Sequence, residues 1–291
     1  MLYQAELHSD GALVSLFDRK GQAQQREHRT IDVNAATVQK TAMLNLTHRW
    51  PFGLHRKNWP DFAAGVVLVL FVLVFFDVWI SQTLRSWPDT WRAAFDFVTG
   101  FGLSDWVLIP ALAAFLLAAI ALRFPVGRFR RATYELALVS SFIFIGVGLP
   151  GLVAYGLKWL FGRARPELFE ESGGFAFQLF VNNHTFQSFP SGHATTAMAT
   201  AFVVGFMAPR FFRLILLIAV MTGISRVVVG MHYPTDVVAG FVVGSLGAYV
   251  VRNGYAKRRW LFAFAPDGSV RFRGTPGLRR IRRSLVQRAA R

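Results

Sequence analysis

Residues 190–236 read PSGHATTAMATAFVVGFMAPRFFRLILLIAVMTGISRVVVGMHYPTD. Two apolar runs, 194–209 and 211–230, follow one another with Arg210 between them. Polar clusters stand at the outer ends of the pair: Pro190-Ser191-Gly192-His193 before it and Ser225-Arg226-x5-His232-x3-Asp236 at its close. An apolar helix of about 17–25 residues crosses about 30 Å of hydrocarbon. Two crossings in succession return the chain to the side it left, so both polar clusters reach one membrane surface.

Outward from this stretch, further apolar runs fall at 62–82, 105–123, 136–157 and 237–252. The expected fold is therefore all-α: a six-transmembrane-helix bundle over 61–252, a polar cytoplasmic N-terminal extension over 1–60 and a basic cytoplasmic tail over 253–291. Composition agrees. Of 291 residues 53% are hydrophobic, 29 are Phe, and only 16% are charged; a soluble domain is usually about a quarter charged. The first run starts too late for the apolar region of a cleaved signal peptide. Asp77, near its end, reads as an interfacial residue.

The absence of cysteine excludes disulfides, thiolate metal sites and cysteine nucleophiles. A net charge of +16 suggests nucleic acid at first. The basic residues flank apolar runs, however, which is the pattern of a membrane protein touching anionic lipid, and no nucleic-acid partner is expected. Of the 32 Lys and Arg, 26 fall in residues 1–60, the Arg123–Arg131 loop, Arg210, Arg213 and the stretch from Arg252 onward. The positive-inside bias puts those segments and both termini in the cytoplasm, and the 158–193 and 225–236 segments outside.

At the ends, Asp10-Gly11 signals a turn and a helix is expected around 35–47. Trp260–Phe264 and Ser269–Phe272 flank Pro266-Asp267-Gly268, the pattern of a small hairpin. Thr275 and Pro276 then open a basic amphipathic helix carrying Leu278, Ile281 and Leu285, suited to lie on an anionic leaflet.

The chemistry lies in three clusters. Lys158-x6-Arg165-Pro166 and Arg226 place three cations at the edges of apolar runs. Charge there is costly unless it has a partner, and three on one face suggest a bound anion. Arg offers a planar fork matched to phosphate oxygens, and Lys a mobile point charge. The turn at Ser191 and Gly192, with its helix N-terminus, adds backbone donors to the same anion. His232 and Asp236, four apart, suit a nucleophilic imidazole oriented by a carboxylate. His193 supplies a second imidazole. His184, Glu167, Glu170 and Glu171 read as loop residues.

These clusters resemble the type 2 phosphatidic acid phosphatase family of integral-membrane lipid phosphatases, whose signature is Lys-x6-Arg-Pro, Pro-Ser-Gly-His and Ser-Arg-x5-His-x3-Asp. The chain matches every fixed position over 158–236. The resemblance implies His232 as the nucleophile forming a phosphohistidine, Asp236 as its orienting carboxylate, and His193 as the acid and then base. It implies Lys158, Arg165, Ser191, Gly192 and Arg226 as the phosphate cradle. No cofactor or metal is expected, because the cations do the work a metal would otherwise do. The expected partners are membrane lipids and a lipid phosphate at the outer face of the inner membrane. Undecaprenyl diphosphate, phosphatidylglycerol phosphate and phosphatidic acid are the candidate substrates, and lipid A phosphates the alternative. The leaning is to undecaprenyl diphosphate or a glycerophospholipid phosphate, since nothing visible accommodates a bulky disaccharide. A vanadate haloperoxidase and a non-catalytic lipid-binding or transport protein are weaker readings: the former are typically soluble, and the full histidine set speaks against the latter.

Overall fold

The computed structural model describes residues 45–289. The Asp10-Gly11 turn lies outside them, as does all of the 35–47 helix except its last three residues, which form no helix. The chain separates into two units, Met1–Asn45 and Leu46–Arg291, and the second contains every element that follows.

Seven helices make the membrane body: α1 (Trp59–Arg85), α2 (Asp89–Thr99), α3 (Asp105–Ala121), α4 (Arg130–Phe161), α5 (Gly192–Met207), α6 (Phe212–Val228) and α7 (Pro234–Lys257). Prolines set several starts. Pro60 and Pro234 stand in the first turns of α1 and α7, where no backbone N–H is needed, and Asp61 and Asp236 add negative charge there. Among the described residues five stretches are long and apolar enough to cross a membrane: Trp59–Arg85, Asp89–Ala121, Gly127–Phe161, Pro209–Val228 and Pro234–Lys257.

The expected fourth crossing differs. Helix α5 has 16 residues, about 24 Å at 1.5 Å per residue, short of about 30 Å of hydrocarbon. Twelve of those residues are buried, because α5 packs against α4, α6 and α7 at the centre of the bundle. Its Phe202 and Phe206 meet Tyr249 of α7 at ring distances of 5.4 and 4.9 Å. Helices α1 and α3 instead leave most of their apolar side chains exposed, as a lipid solvent allows.

At the bundle end away from the polar clusters, buried Arg252 of α7 donates to the backbone oxygens of Leu46 and His48, both at 2.6 Å, and Arg49 at 3.0 Å. Its guanidinium stacks on Phe206 and Tyr249. A two-stranded antiparallel hairpin follows, β1 (Phe262–Phe264) and β2 (Val270–Phe272), with Phe264 opposite Val270. Helix α8 (Pro276–Ala289) then docks on α4. Its Gly277 and Leu278 N–H groups donate to the Glu135 carboxylate at 3.1 and 3.0 Å, an anion at the positive end of a helix.

Candidate active site

Helix α4 stops because Gly162 takes a left-handed conformation, φ 54°, its N–H bonding back to Lys158 O. A Cβ there would collide with the Gln178 carbonyl, so only glycine allows the chain to turn this sharply. The turn sends residues 163–166 back across the top of the bundle. Arg165 N then bonds to Thr185 O and Ser188 N to Arg163 O, which ties the 163–188 loop into a cap. Pro190, after a cis Phe189–Pro190 bond, leads into α5, and α6 and α7 deliver Arg226, His232 and Asp236 from the other side.

These stretches meet. Lys158, Arg165 and Arg226 all act electrostatically on His193, and Lys158 and Arg165 on His232. Each cation is held by few groups. Lys158 Nζ donates to Gln187 O at 2.5 Å, Arg165 Nε to His184 O at 2.9 Å, and Arg226 Nη1 to Thr99 Oγ1 at 2.9 Å. No carboxylate pairs directly with any of the three among the described residues. Cations that act on one another and are bonded to no carboxylate make a site for an anion. Beneath Lys158, Gly192 and His193 opens an apolar groove of about 600 Å³, walled by Leu108 of α3, by Ile145, Leu149 and Leu152 of α4, and by Thr196 of α5. One end thus suits a phosphate and the rest suits lipid tails.

His193 is placed by a close approach. Gly102, in the turn between α2 and α3, lies where a Cβ would stand 2.7 Å from His193 Cβ and 2.8 Å from Thr222 Cγ2. Nothing larger than glycine fits beside that imidazole.

Asp236 is fully buried and held from both sides. Its Oδ1 accepts from Arg163 at 2.7 Å, and its Oδ2 accepts from Ser188 Oγ at 2.6 Å and Tyr233 N at 2.8 Å. His232, 2% exposed, sets Nδ1 at 3.7 Å from Asp236 Oδ2 and 3.5 Å from Ser188 Oγ. The imidazole and carboxylate are therefore neighbours but not directly hydrogen-bonded, and the Ser188 hydroxyl lies beside both. Nε2 takes no part in these contacts. Burial is the main force on this ring and outweighs the attraction of Asp236, bringing its pKa down to about 3. The imidazole is thus neutral, with a free lone pair, at ordinary pH.

Two expectations need correction. Ser191 does not offer its N–H to a ligand: that group donates to Asp236 O at 2.9 Å, and its hydroxyl accepts from Ala194 N at 3.4 Å. Ser191 is the helix cap that ties α5 to α7, which leaves the N–H groups of Gly192 and His193 as the donors of the first turn. Asp77 does not stand open to lipid or water. It is 1% exposed and bound to Arg163 and Thr235. A lone carboxylate in an apolar span was the signal for it. Arg163 and Ser188 sat unremarked inside the loop, because an arginine or a serine beside a motif looks like any loop residue until its partner is known. His184 remains at the rim, where the Arg165 guanidinium holds its imidazole below the usual range.

Comparison with known proteins points the same way. Residues 136–260 match the PAP2 superfamily. A lipid A 1-phosphatase of Rhizobium etli is 32% identical, the match covering 67% of this chain and 84% of that protein. A second, from Rhizobium johnstonii, is 33% identical over 60% of this chain and 71% of that protein. A phosphatidylglycerophosphatase B of Bacillus subtilis is 30% identical over 43% of this chain and 60% of that protein. With its apolar helices and these matches, the chain belongs to the PAP2 superfamily of membrane lipid phosphatases.

Proposed function

We propose that the chain removes a phosphate from a lipid headgroup through a phosphohistidine. The observation that carries this reading is the convergence of three cations bonded to no carboxylate on His193, with Lys158, Gly192 and His193 lining one apolar groove and the clamped Asp236 beside His232. The Nε2 lone pair of His232 forms a bond to phosphorus as the bond from phosphorus to the lipid oxygen breaks. Burial and the three cations disfavour a protonated His193; the bound phosphate's negative charge offsets those cations, so that the imidazole carries a proton and gives it to that oxygen. It then takes a proton from water, whose oxygen attacks phosphorus and releases phosphate from His232. Lys158, Arg165, Arg226 and the Gly192 N–H hold the phosphoryl oxygens and stabilise the charge that develops on them. Positive charge is thus supplied by side chains, and turnover is expected to survive EDTA.

The proposed substrate is the 1-phosphate of lipid A, in place of the undecaprenyl diphosphate or glycerophospholipid phosphate favoured on sequence alone. Support comes from the two Rhizobium relatives, which match more of this chain than the phosphatidylglycerophosphatase does. The reading places the protein in the inner membrane, with 61–252 as the catalytic body, 1–60 and 253–291 in the cytoplasm, and the pocket facing the periplasm. Phosphate release by the purified protein in detergent, measured against lipid A, phosphatidylglycerol phosphate, phosphatidic acid and undecaprenyl diphosphate, tests it. The highest kcat/KM should fall on lipid A; a higher value on another lipid overturns the substrate. Turnover that persists in folded His232→Ala overturns the covalent route.

A further inference from the structure

Hydrophobic burial does not explain the seat of helix α1. Its two buried residues are Asp77 and Ser81. Ile80 and Leu84 pack partly against Val227 and Val237, while Val67, Phe71, Phe75 and Trp79 remain exposed. Apolar side chains gain little by leaving lipid tails for protein, so a helix this open is held by packing and polar contacts. The polar contacts are concentrated at one point. Asp77 Oδ1 accepts from Thr235 N at 3.0 Å, and Oδ2 accepts from Thr235 Oγ1 at 2.5 Å and Arg163 Nη2 at 2.8 Å. Arg163 turns its other arm, Nη1, to Thr235 Oγ1 and Asp236 Oδ1, each at 2.7 Å, and stacks 4.2 Å over the Tyr233 ring. Asp77, Arg163, Thr235 and Asp236 are all buried.

Two carboxylates therefore share one guanidinium. Were Arg163 and Asp236 alone, they would form a neutral pair, and Asp236 would offer little charge to His232. With Asp77 bound to the opposite arm, the buried group carries a net charge of −1. The outward oxygen of that group is Asp236 Oδ2, on the side of Ser188 and His232. The His232 imidazole becomes cationic as its bond to phosphorus forms, and a net negative neighbour in a low-dielectric site stabilises that state.

We propose that Asp77 and Arg163 are positioning residues of the phosphotransfer site: α1 brings a second carboxylate to Arg163, which keeps Asp236 effectively anionic and sets its other oxygen, Oδ2, beside His232. This rests on the reading of His232 as the nucleophile. It makes the least buried of the five candidate spans a working part of the site and gives the arginine inside Lys158-x6-Arg165 a task distinct from holding phosphate.

The test is Asp77→Asn, which keeps the shape and removes the charge, with Asp77→Glu as the conservative variant, in full-length protein in detergent. Turnover is normalised to folded protein by thermal melt. Asp77→Asn should lower kcat by about 10- to 100-fold, the range for groups that orient a reacting ligand from behind. KM should stay within about threefold, since Asp77 does not face the substrate, and Asp77→Glu should recover at least part of the lost kcat. An unchanged kcat in Asp77→Asn overturns the proposal. So does a loss that appears in KM alone, or an Asp77→Glu no better than Asp77→Asn. His232→Ala is run alongside. If that variant turns over normally, the reading of the nucleophile has failed; if it is dead while Asp77→Asn is normal, only the role of Asp77 has.

Discussion

Removing one hydroxyl tests whether His232 and Asp236 act as a directly bonded pair or through a bridge. Ser188 Oγ lies 2.6 Å from Asp236 Oδ2 and 3.5 Å from His232 Nδ1, whereas the imidazole and carboxylate are 3.7 Å apart. In Ser188→Ala the carboxylate keeps Arg163 on Oδ1 and Tyr233 N on Oδ2, so the fold has little reason to fail. Nδ1 is left with nothing nearer than that carboxylate oxygen, beyond hydrogen-bond distance. A hydrogen bond to a charged group contributes about 1.5–3 kcal/mol, and about 1.4 kcal/mol is tenfold in rate. If the bond to Asp236 orients the imidazole in the transition state, kcat should fall about 10- to 150-fold with little change in KM. Single-turnover kinetics, with acid quench or filter capture of the phosphoenzyme, would place the loss in the phosphorylation step. Ser188→Thr, which keeps the hydroxyl, should retain most of the rate. A Ser188→Ala enzyme with kcat within twofold of the parent would show that the imidazole reaches Asp236 directly and that the bridge is dispensable.

Three further outcomes follow from the geometry. Burial holds His232 neutral down to about pH 3, below its ordinary value near 6.5; the nucleophile is therefore present throughout the neutral range and lost only as pH falls toward 3, and an NMR titration in which the His232 imidazole took up a proton near pH 6.5 would contradict this. Gly102→Ala puts a methyl 2.7 Å from His193 Cβ and 2.8 Å from Thr222 Cγ2; overpacking of this kind costs about 1–3 kcal/mol, and the displaced His193 should lower kcat, so unaltered melting and unaltered kcat together would refute the close fit. Arg252→Met leaves the Leu46, His48 and Arg49 carbonyls without their donor; thermal melting should report a loss of about 3 kcal/mol, while turnover per folded molecule stays the same because Arg252 lies at the opposite end of the bundle, and a fall in kcat at full foldedness would be the contrary result.

Much of the protein is legible in local sequence. A run of apolar residues long enough to cross lipid has few alternatives to helix, because every backbone group must find its partner within the segment. That rule alone yields the all-α body, and proline and glycine place several of its ends. The three polar clusters declared themselves because charge beside hydrocarbon is expensive and needs a reason. What could not be read locally was pairing. Asp77 and Arg163 are separated by 86 residues, and nothing near either one names the other. Ser188 and Ser191 look alike on paper. Tertiary packing turned one toward the Asp236 carboxylate and used the other to cap α5. Whether α5 crosses the bilayer as a lipid-facing span or sits inside a ring of neighbours was also beyond hydropathy, which counts apolar residues but not what they touch. Hydrophobicity and backbone satisfaction act along the chain and are written in it. The catalytic geometry depends on which distant side chain reaches which oxygen, and only the assembled fold decides that.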